Sequence, residues 1–272
     1  LANWMVDTEQ GAGHLLARVI VNRLWHHHFG QGIVSSTNDF GIQGQPPTHP
    51  GLLDWLALQL IANDWSLKHI HALILSSYTY QQSSEFHDDN AQIDPENKYL
   101  WRFSPRRLEA EAIRDSILQA TGQLDETMFG KGTLDESMRR RSIYFTVKRS
   151  KLVPMLQVFD VPEPLVSQGK RPTTTVAPQA LLLLNNPHIR KCCEDSAMQL
   201  VDKDMNESAL VNLLYHRSLS RNPSAGEAGR ATEFLRAQTA SYSQTGVQDA
   251  NTQATADLIQ LMLCLNEFCY IY

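Results

Sequence analysis

Long hydrophobic runs and an excess of basic residues are both missing from this chain of 272 residues. The longest apolar run, in "ALLLLNN", has five residues, whereas a helix needs about 20 apolar residues to span a bilayer. We therefore expect no transmembrane segment. The formal net charge of −5 disfavours a nucleic-acid partner, because nucleic-acid binding depends on a basic surface.

Cysteine motifs are missing as well. The four cysteines form an adjacent pair, Cys192 and Cys193, and a second pair near the C-terminus, Cys264 and Cys269. The chain contains no C-x-x-C and no C-x-x-C-H, so it lacks the signal for covalent haem attachment, and we expect no cofactor in this chain. Free, buried thiols are favoured over a disulfide between the two pairs, which stays the alternative.

Common enzyme motifs are also absent. The sequence has no G-x-S-x-G nucleophile elbow, no P-loop and no G-x-G-x-x-G fingerprint. A glycosidase carboxylate pair leaves no such motif, because its two members meet only in the fold. The sequence therefore favours a non-catalytic protein, and an enzyme remains the alternative.

Helical spacing dominates what is present. In "HLLARVIVNRLWHHHFG" the apolar residues Leu16, Ile20 and Leu24 form one stripe, and Gly30 follows as a C-cap. Other helix boundaries are predicted at Pro50 after Thr48 or His49, at Ser66, at Ser104 with Pro105 and a closing Gly122, and at the Ser224–Glu227 capping box.

The fold class that follows is mainly α, a multi-helix globular domain with at most a small β element around residues 142–149. The strand prediction comes from "SIYFTVKR", in which apolar and polar residues alternate. We expect a single domain over residues 1–272, with a subdivision near 130–175 as the alternative. Because the chain starts at Leu1 without an initiator Met, we expect it to be part of a longer multidomain polypeptide.

Three consecutive histidines, His26 to His28, raise the question of a metal site. Neighbouring side chains on a helix point about 100° apart, so these three do not converge on one ion. Histidines are favoured beside the exposed carbonyls of a helix C-terminus, which explains them without a metal. We predict no metal site, with His27 and His28 as the candidate ligands if one exists, joined by His49.

The loop of residues 38–49, "NDFGIQGQPPTH", is a candidate part of a site. Long polar loops stiffened by proline often line binding sites. Asp39 and His49 could form an acid–base pair, although their spacing does not require contact. An Asx turn that caps the neighbouring helices is the competing interpretation.

The predicted helix at residues 104–121 carries the second set of candidates. Glu111 and Asp115 are like charges four residues apart, and Arg107 and Arg114 are placed to neutralise them. A functional interpretation makes either carboxylate a general acid or base. The favoured interpretation is a ladder of structural ion pairs that joins this helix to a neighbour.

A third candidate is the basic stretch "RRRSIYFTVKRSK", residues 139–151, which contains cations and aromatic residues but no acid. It could bind a sulfated or carboxylated polymer, because arginine pairs well with such groups. Protection of a strand edge is the alternative. The ligand-binding candidates are Arg107, Arg114, Arg139, Arg140, Arg141, Tyr144 and Lys148.

Several long stretches together resemble a known family. They are "LARVIVNRLWHHHFGQGIV", "TNDFGIQGQPPTHPGLLDWLA", "WSLKHIHALILSSYTYQQSS", "RRLEAEAIRD", "TTTVAPQALLLLNNP" and the terminal "LNEFCYI". The chain is similar over essentially its whole length to the planctomycete cytochrome-associated domain of unknown function DUF1553 (PSD1). That family has no catalytic residues to transfer to this sequence.

The resemblance implies a context and no reaction. It implies the C-terminal module of a large cell-envelope protein, periplasmic or secreted, with haem c in an upstream domain. We therefore expect a non-catalytic helical module that docks to upstream domains of the same polypeptide or binds an anionic polysaccharide. One alternative is a polysaccharide-active enzyme with a site from the 38–49 loop and the 104–121 helix. Another is that His27, His28 or His188 donates an axial ligand to haem.

Overall fold

A computed structural model describes residues 1–165, 167–201 and 205–272. The described chain is mainly helical, as the periodicity predicts, and forms two compact units. The first unit comprises Leu1–Arg106 with Gln168–Lys170 and Tyr272, and the second comprises Arg107–Ser167 and Arg171–Ile271. No helix in the described ranges is long and apolar enough to cross a membrane.

The first unit is built on α2, which packs against α3 and α4. Its helices are α1 (Ala2–Val6), α2 (Gly13–Phe29), α3 (Pro50–Ala62), α4 (Leu67–Leu75), α5 (Tyr78–Gln81) and α6 (Asp88–Ile93). Val21, Leu60 and Ile70 are fully buried in this unit. The buried Asn22 side chain accepts from the Val34 N–H at 2.8 Å and donates to the Val34 carbonyl at 3.0 Å, which fixes the chain that follows α2.

The second unit is built around α13, which packs against α10 and α12. Its helices are α7 (Ala110–Ala120), α8 (Pro154–Val158), α9 (Ala177–Asn185), α10 (Pro187–Val201), α11 (Glu207–Leu219), α12 (Ala225–Gln244), α13 (Ala250–Leu263) and α14 (Asn266–Cys269). Most of α13 is buried, including the polar residues Thr255 and Gln260. Gln260 donates to the Leu184 carbonyl at 2.8 Å, so a polar side chain inside the core keeps a hydrogen-bond partner.

The predicted strand at residues 142–149 is wrong. Ser142–Tyr144 form a 3₁₀ turn, and the rest of the 142–149 stretch contributes only isolated bridges, of Phe145 with Thr133 and of Lys148 with Lys151. Ser142 donates to Asp115 Oδ1 from both its backbone N–H and its hydroxyl, each at 2.7 Å. These two hydrogen bonds engage the backbone of Ser142 and so compete with strand pairing. The sheet present in the described residues pairs two-residue strands, β1 (Arg106–Arg107) and β2 (Tyr270–Ile271).

The helix expected after the N-cap Ser104 begins five residues later than predicted. α7 starts at Ala110 with Glu109 as its N-cap, and the preceding residues are extended. The Leu108 N–H donates to the Cys269 carbonyl at 2.8 Å, a long-range bond that a helix over these residues would have replaced with a local one. The predicted end is confirmed, since Gly122 follows the C-cap Thr121 with a positive φ of 70°.

Other predicted helix ends are confirmed. Gly30 ends α2 in the left-handed conformation, with φ 78°. His49 is the N-cap of α3, with Pro50 in the first turn. Ser66 caps α4 by accepting from the His69 N–H, although α4 ends at Leu75 and a separate short helix follows. Ser224 and Glu227 form the capping box of α12.

Candidate functional site

The histidine triplet occupies the last turn of α2, beside the C-cap Gly30, where helix-end stabilisation predicts it. His28 Nε2 lies 2.8 Å from Nδ1 of His71 on α4, so the two rings share a hydrogen bond. The Tyr80 ring contacts His28 edge-on, with centroids 5.6 Å apart. Because His71 engages Nε2, an axial bond from that nitrogen to haem would require this contact to break.

His26 is partly buried, and His27 is exposed. Burial, together with the charges of His27, Lys170 and Arg106, lowers the pKa of His26 to about 4, so its ring is neutral at pH 7. Its Nδ1 is buried and has no hydrogen-bond partner among the residues that the structure describes. The described residues contain no group of three or more His, Cys, Asp or Glu side chains placed to hold a metal ion.

The 38–49 loop holds Asp39 and His49 in separate local contacts. Asp39 Oδ1 accepts from the Gly41 N–H at 2.8 Å, an Asx turn, and the Ser36 hydroxyl donates to the Asp39 carbonyl. His49 Nδ1 lies 3.0 Å from the Thr48 hydroxyl. In the described part of the chain no hydrogen bond or ion pair joins Asp39 to His49, so the pairing that the sequence allows stays a prediction.

The two carboxylates of α7 are both engaged within the second unit. Glu111 pairs with Arg171 at 2.6 Å, and Asp115 accepts the two bonds from Ser142. Arg114 lies 3.7 Å from Asp115 and does not reach Glu111 with a hydrogen bond. These contacts link α7 to the segments around residues 142 and 171, as expected for structural ion pairs.

Arg107 lies outside the helix, which corrects its expected pairing with Glu111. Its side chain is 5% exposed, and Nη2 donates to Asp160 Oδ2 at 2.7 Å and to the Phe159 carbonyl at 3.2 Å. Burial alone would raise the pKa of Asp160, but the bonds from the Thr174 N–H and hydroxyl and from Arg107 outweigh it and lower that pKa. A buried guanidinium paired in this way is inaccessible to a polymer, so the ligand-binding prediction for Arg107 is not supported.

Arg114 is equally inaccessible. Its side chain is 7% exposed and lies over the Phe145 ring at 4.7 Å from the centroid. Nη1 donates to the Arg140 carbonyl and the Ser142 hydroxyl, and Nη2 donates to the Met138 carbonyl. Burial lowers the pKa of Arg114 despite the charge of Asp115. Arg114 therefore holds the chain at residues 138–142 against α7.

The basic stretch contains cations bonded within the fold and cations that are exposed to solvent. Arg139 pairs with Asp195 at 2.7 Å, and Arg140 donates to the Thr127 and Phe129 carbonyls and stacks on the Tyr144 ring at 3.7 Å. Arg141 is more exposed and lies 3.7 Å from Asp115. Lys148 is exposed on the turn that its bridge to Lys151 closes. Arg139 and Arg140 are therefore engaged in contacts within the fold, and Arg141 and Lys148 are the accessible candidates of this stretch.

Comparison with known families decides the identity of the chain. Residues 1–235 match the family model PSD1, described as "Protein of unknown function (DUF1553)". The chain belongs to the DUF1553 family. Comparison with curated proteins and with solved structures found no match. The match confirms the resemblance that the sequence motifs indicate.

Several residues that matter in this DUF1553 chain were missed by sequence reasoning. They are the partners of the predicted residues: His71, Asp160, Arg171 and Asp195. Each lies 43 to 60 positions from the residue it contacts. A charged residue whose partner is so distant leaves no spacing signal, so these pairs are visible only in the fold.

The cysteines of the DUF1553 chain are free in the described structure. Cys193 and Cys269 are buried and Cys192 and Cys264 are partly buried, in agreement with the favoured interpretation of the sequence. His188, named above as an alternative haem ligand, is exposed at the start of α10.

Proposed function

We propose that this DUF1553 domain is a non-catalytic docking module whose partner is another domain of the same polypeptide. The observation that carries the proposal is the outer face of α9, which we call the α9 face: Ala177, Ala180, Leu181 and Leu184. Leu181 is 55% exposed and Leu184 is 54% exposed, and α9 buries only Gln179 and Leu183. Contiguous apolar residues exposed on one helix face are typical of interaction sites.

The engagement of the candidate catalytic residues supports a non-catalytic role. Glu111 and Asp115 bond to Arg171 and Ser142, and Asp39 bonds within its own loop. A general acid or base needs a free position toward a substrate and a pKa tuned by its surroundings. The family resemblance supports the rest of the proposal: upstream partner domains, one of them carrying haem c, in a cell-envelope protein.

The docking proposal is tested with the double variant Leu181→Glu/Leu184→Glu. Leu58→Glu on α3 is the control, because Leu58 is 53% exposed but lies in the first unit. The upstream segment of the natural polypeptide is supplied as a separate chain, and its affinity is measured by calorimetry. We expect wild type and Leu58→Glu to bind alike and the double variant to bind at least tenfold more weakly. Equal binding by all three proteins, or no binding by wild type, would contradict the proposal.

A second candidate function, binding of an anionic polysaccharide, is favoured by one observation. Lys148, Arg149 and Lys151, which we call the basic turn, are all exposed, whereas Arg107 and Arg114 are buried. Polymer binding at this turn should raise the midpoint of thermal unfolding with a sulfated polysaccharide and not with a neutral one. A polymer at 100 times its dissociation constant would stabilise the fold by about 2.7 kcal/mol.

The variant Lys148→Gln/Arg149→Gln should remove that shift, and moderate salt should reduce it. The matched control is Lys68→Gln/Arg23→Gln, which removes the same charges from exposed positions of the first unit. A shift that survives in the basic-turn variant would place the polymer elsewhere, and no shift in wild type would remove this candidate.

A further inference from the structure

A cavity of about 110 Å³ lies within the second unit, and neither the α9 face nor the basic turn contributes to it. Its walls come from α7, from the 136–139 segment and from the starts of α8 and α10. Water occupies about 30 Å³ per molecule in the liquid, so the cavity has room for roughly four non-hydrogen atoms, enough for the aliphatic tail of a ligand whose head group lies at the solvent side. It is therefore suited to a small group rather than to a polymer.

The inner wall of the cavity is apolar. Its apolar lining residues are Ile117, Leu118, Val153, Met155 and Ile189. Each of them is buried in the folded chain. Cavities with such walls hold apolar groups better than water, since water needs two or more polar partners to be stable there. The inner wall therefore favours the aliphatic part of a ligand.

The charged part of the lining is mostly cationic. Arg114, Arg139 and Lys191 all line the cavity, and Glu136 is the acid that lines it. The Arg114 guanidinium donates to two carbonyls and a hydroxyl, which are neutral, and its ion pair with Asp115 is long, at 3.7 Å. The charges of Asp115 and Glu136 both favour the charged form of Arg114, so the attraction for an anion depends on the other two cations.

The other two cations lie at the solvent side. The side chains of Arg139 and Lys191 are 49% and 60% exposed, and both pair with the single acid Asp195, at 2.7 and 3.0 Å. Arg139 also donates to Gln123 Oε1, and each of the two side chains carries more N–H groups than these acceptors use. The first-turn amides of α10 do not supply the attraction, because the Asn186 side chain already accepts from the N–H groups of His188 and Ile189.

We propose that this cavity binds a small carboxylate with a short aliphatic tail, of the size of butyrate. The tail lies among the apolar residues of α7, α8 and α10, and the carboxylate accepts hydrogen bonds from Arg139 and Lys191 at the rim. Such a site is independent of docking at the α9 face, so either proposal can fail without the other.

The test uses the whole chain with its methyl groups labelled for NMR and is titrated with sodium butyrate at constant ionic strength. We expect saturable shifts of the cavity methyls of Ile117, Leu118, Val153 and Ile189. The methyls of Ile70 and Ile74, buried in the first unit, should not move. Butyramide, which has the same shape and no charge, should bind about tenfold more weakly, and acetate, which lacks the tail, should also bind more weakly.

Two variants test whether Arg139 and Lys191 bind the carboxylate. Lys191→Gln, at an exposed position, should weaken butyrate binding about three- to tenfold, and Arg139→Gln should weaken it at least as much. Lys148→Gln removes the same charge away from the cavity and should bind as wild type does. If Arg139→Gln lowers the unfolding midpoint through loss of the Asp195 pair, Lys191→Gln alone decides the question.

Three results would overturn the proposal. One is the absence of any cavity methyl shift at high butyrate concentration. Another is equal affinity for butyrate and butyramide, which would make the cavity a general apolar void. The third is equal weakening by Lys191→Gln and Lys148→Gln, which would show that only the overall charge of the protein matters.

Discussion

The Nε2 atom of His28 on α2 and the Nδ1 atom of His71 on α4 share a hydrogen bond of 2.8 Å. Such a bond forms only when at least one ring is neutral, because two imidazolium rings would place two N–H groups face to face. Burial, then the charges of His71, Arg106 and His27, lower the pKa of His28, which keeps this ring neutral near pH 7. The hydrogen bond therefore links α2 to α4 while the His28 ring is neutral.

The first prediction is that the stability of the fold falls on mild acidification through these histidines. The pKa values of His26 and His28 are lower in the folded chain than the ordinary 6.5, so the unfolded chain binds more protons below that pH. Their contribution is complete above about pH 6.5 and is lost as the pH falls through the two folded pKa values, of which that of His26 is about 4. For the partly exposed His26 ring we expect a loss of about 1–2 kcal/mol after solvent screening is considered.

The measurement is the free energy of unfolding in urea at several pH values between 4.5 and 7.5. The double variant His26→Gln/His28→Gln should show a smaller dependence on pH than wild type. The variant His14→Gln, changed at an exposed position of the same helix, should keep the wild-type dependence. An unchanged slope in the double variant would refute the assignment.

The second prediction concerns the buried pair of Arg107 and Asp160. Asp160→Asn leaves a guanidinium that is 5% exposed without a carboxylate and should destabilise the fold by about 3 kcal/mol. Asn also adopts the positive φ of 64° at this position, so backbone strain does not contribute. Asp249→Asn, at an exposed position with φ 58°, is the control and should change little.

The same pair has its own pH dependence. Because the pKa of Asp160 is lowered in the fold, its contribution is complete above about pH 4 and is lost as the pH falls through the folded value. Urea unfolding at pH 7 and pH 3 checks this. The difference in stability between wild type and Asp160→Asn should be smaller at pH 3, and a constant difference would contradict the assigned role.

The third prediction is that Arg114 holds the 138–142 segment in place. Arg114→Lys leaves one nitrogen head where the guanidinium bonds to Met138, Arg140 and Ser142, so at least one buried acceptor loses its donor. We expect destabilisation of about 2 kcal/mol and faster amide exchange in this segment. Arg141→Lys, at a 61% exposed side chain, should have neither effect. Exchange that accelerates equally in both variants would contradict a specific role for Arg114.

The fourth prediction concerns the thiols. Burial, with a smaller effect of Cys192, raises the pKa of Cys193 to about 12, and burial with Cys264 raises that of Cys269 to about 11. Neither forms a reactive thiolate at pH 8, so an aromatic disulfide reagent should modify them only after unfolding. The variant Cys192→Ser/Cys264→Ser should show almost no reaction in the native state and two thiols in denaturant. Rapid native labelling of that variant would contradict the burial of the remaining pair.

Capping residues in the sequence predicted helix ends correctly where the cap acts on its close neighbours. They failed where a hydrogen bond to a distant residue competes with the helix. Gly30, Ser66 and the Ser224–Glu227 box act through neighbours within four positions, so the sequence alone reveals them. Ser104 also has the pattern of an N-cap, but the bond from Leu108 to Cys269 holds this stretch extended. The energy of such a bond depends on a chain segment about 160 positions away, which no local pattern contains.

The candidate site shows the same division. Charge clusters at residues 107–115 and 139–141 are visible in the sequence, but their roles depend on burial and on partners that only the fold brings near. The alternation in "SIYFTVKR" also misled, because Ile143 and Val147 are 71% and 74% exposed and pack on no sheet. A pattern of residue types in the sequence shows which charged and apolar side chains a stretch contains. It does not show which of them are already engaged by partners in the fold.

The position of α13 bears on how this protein is produced in the laboratory. The family match ends at residue 235, inside α12, whereas α13 begins fifteen residues later at Ala250 and is the helix that α10 and α12 pack against. An expression fragment cut at the end of the match would shorten α12 and leave the apolar sides of α10 uncovered. We expect such a fragment to precipitate or be degraded, so the cloning boundary of this domain should lie beyond α13 and not at the limit of family similarity.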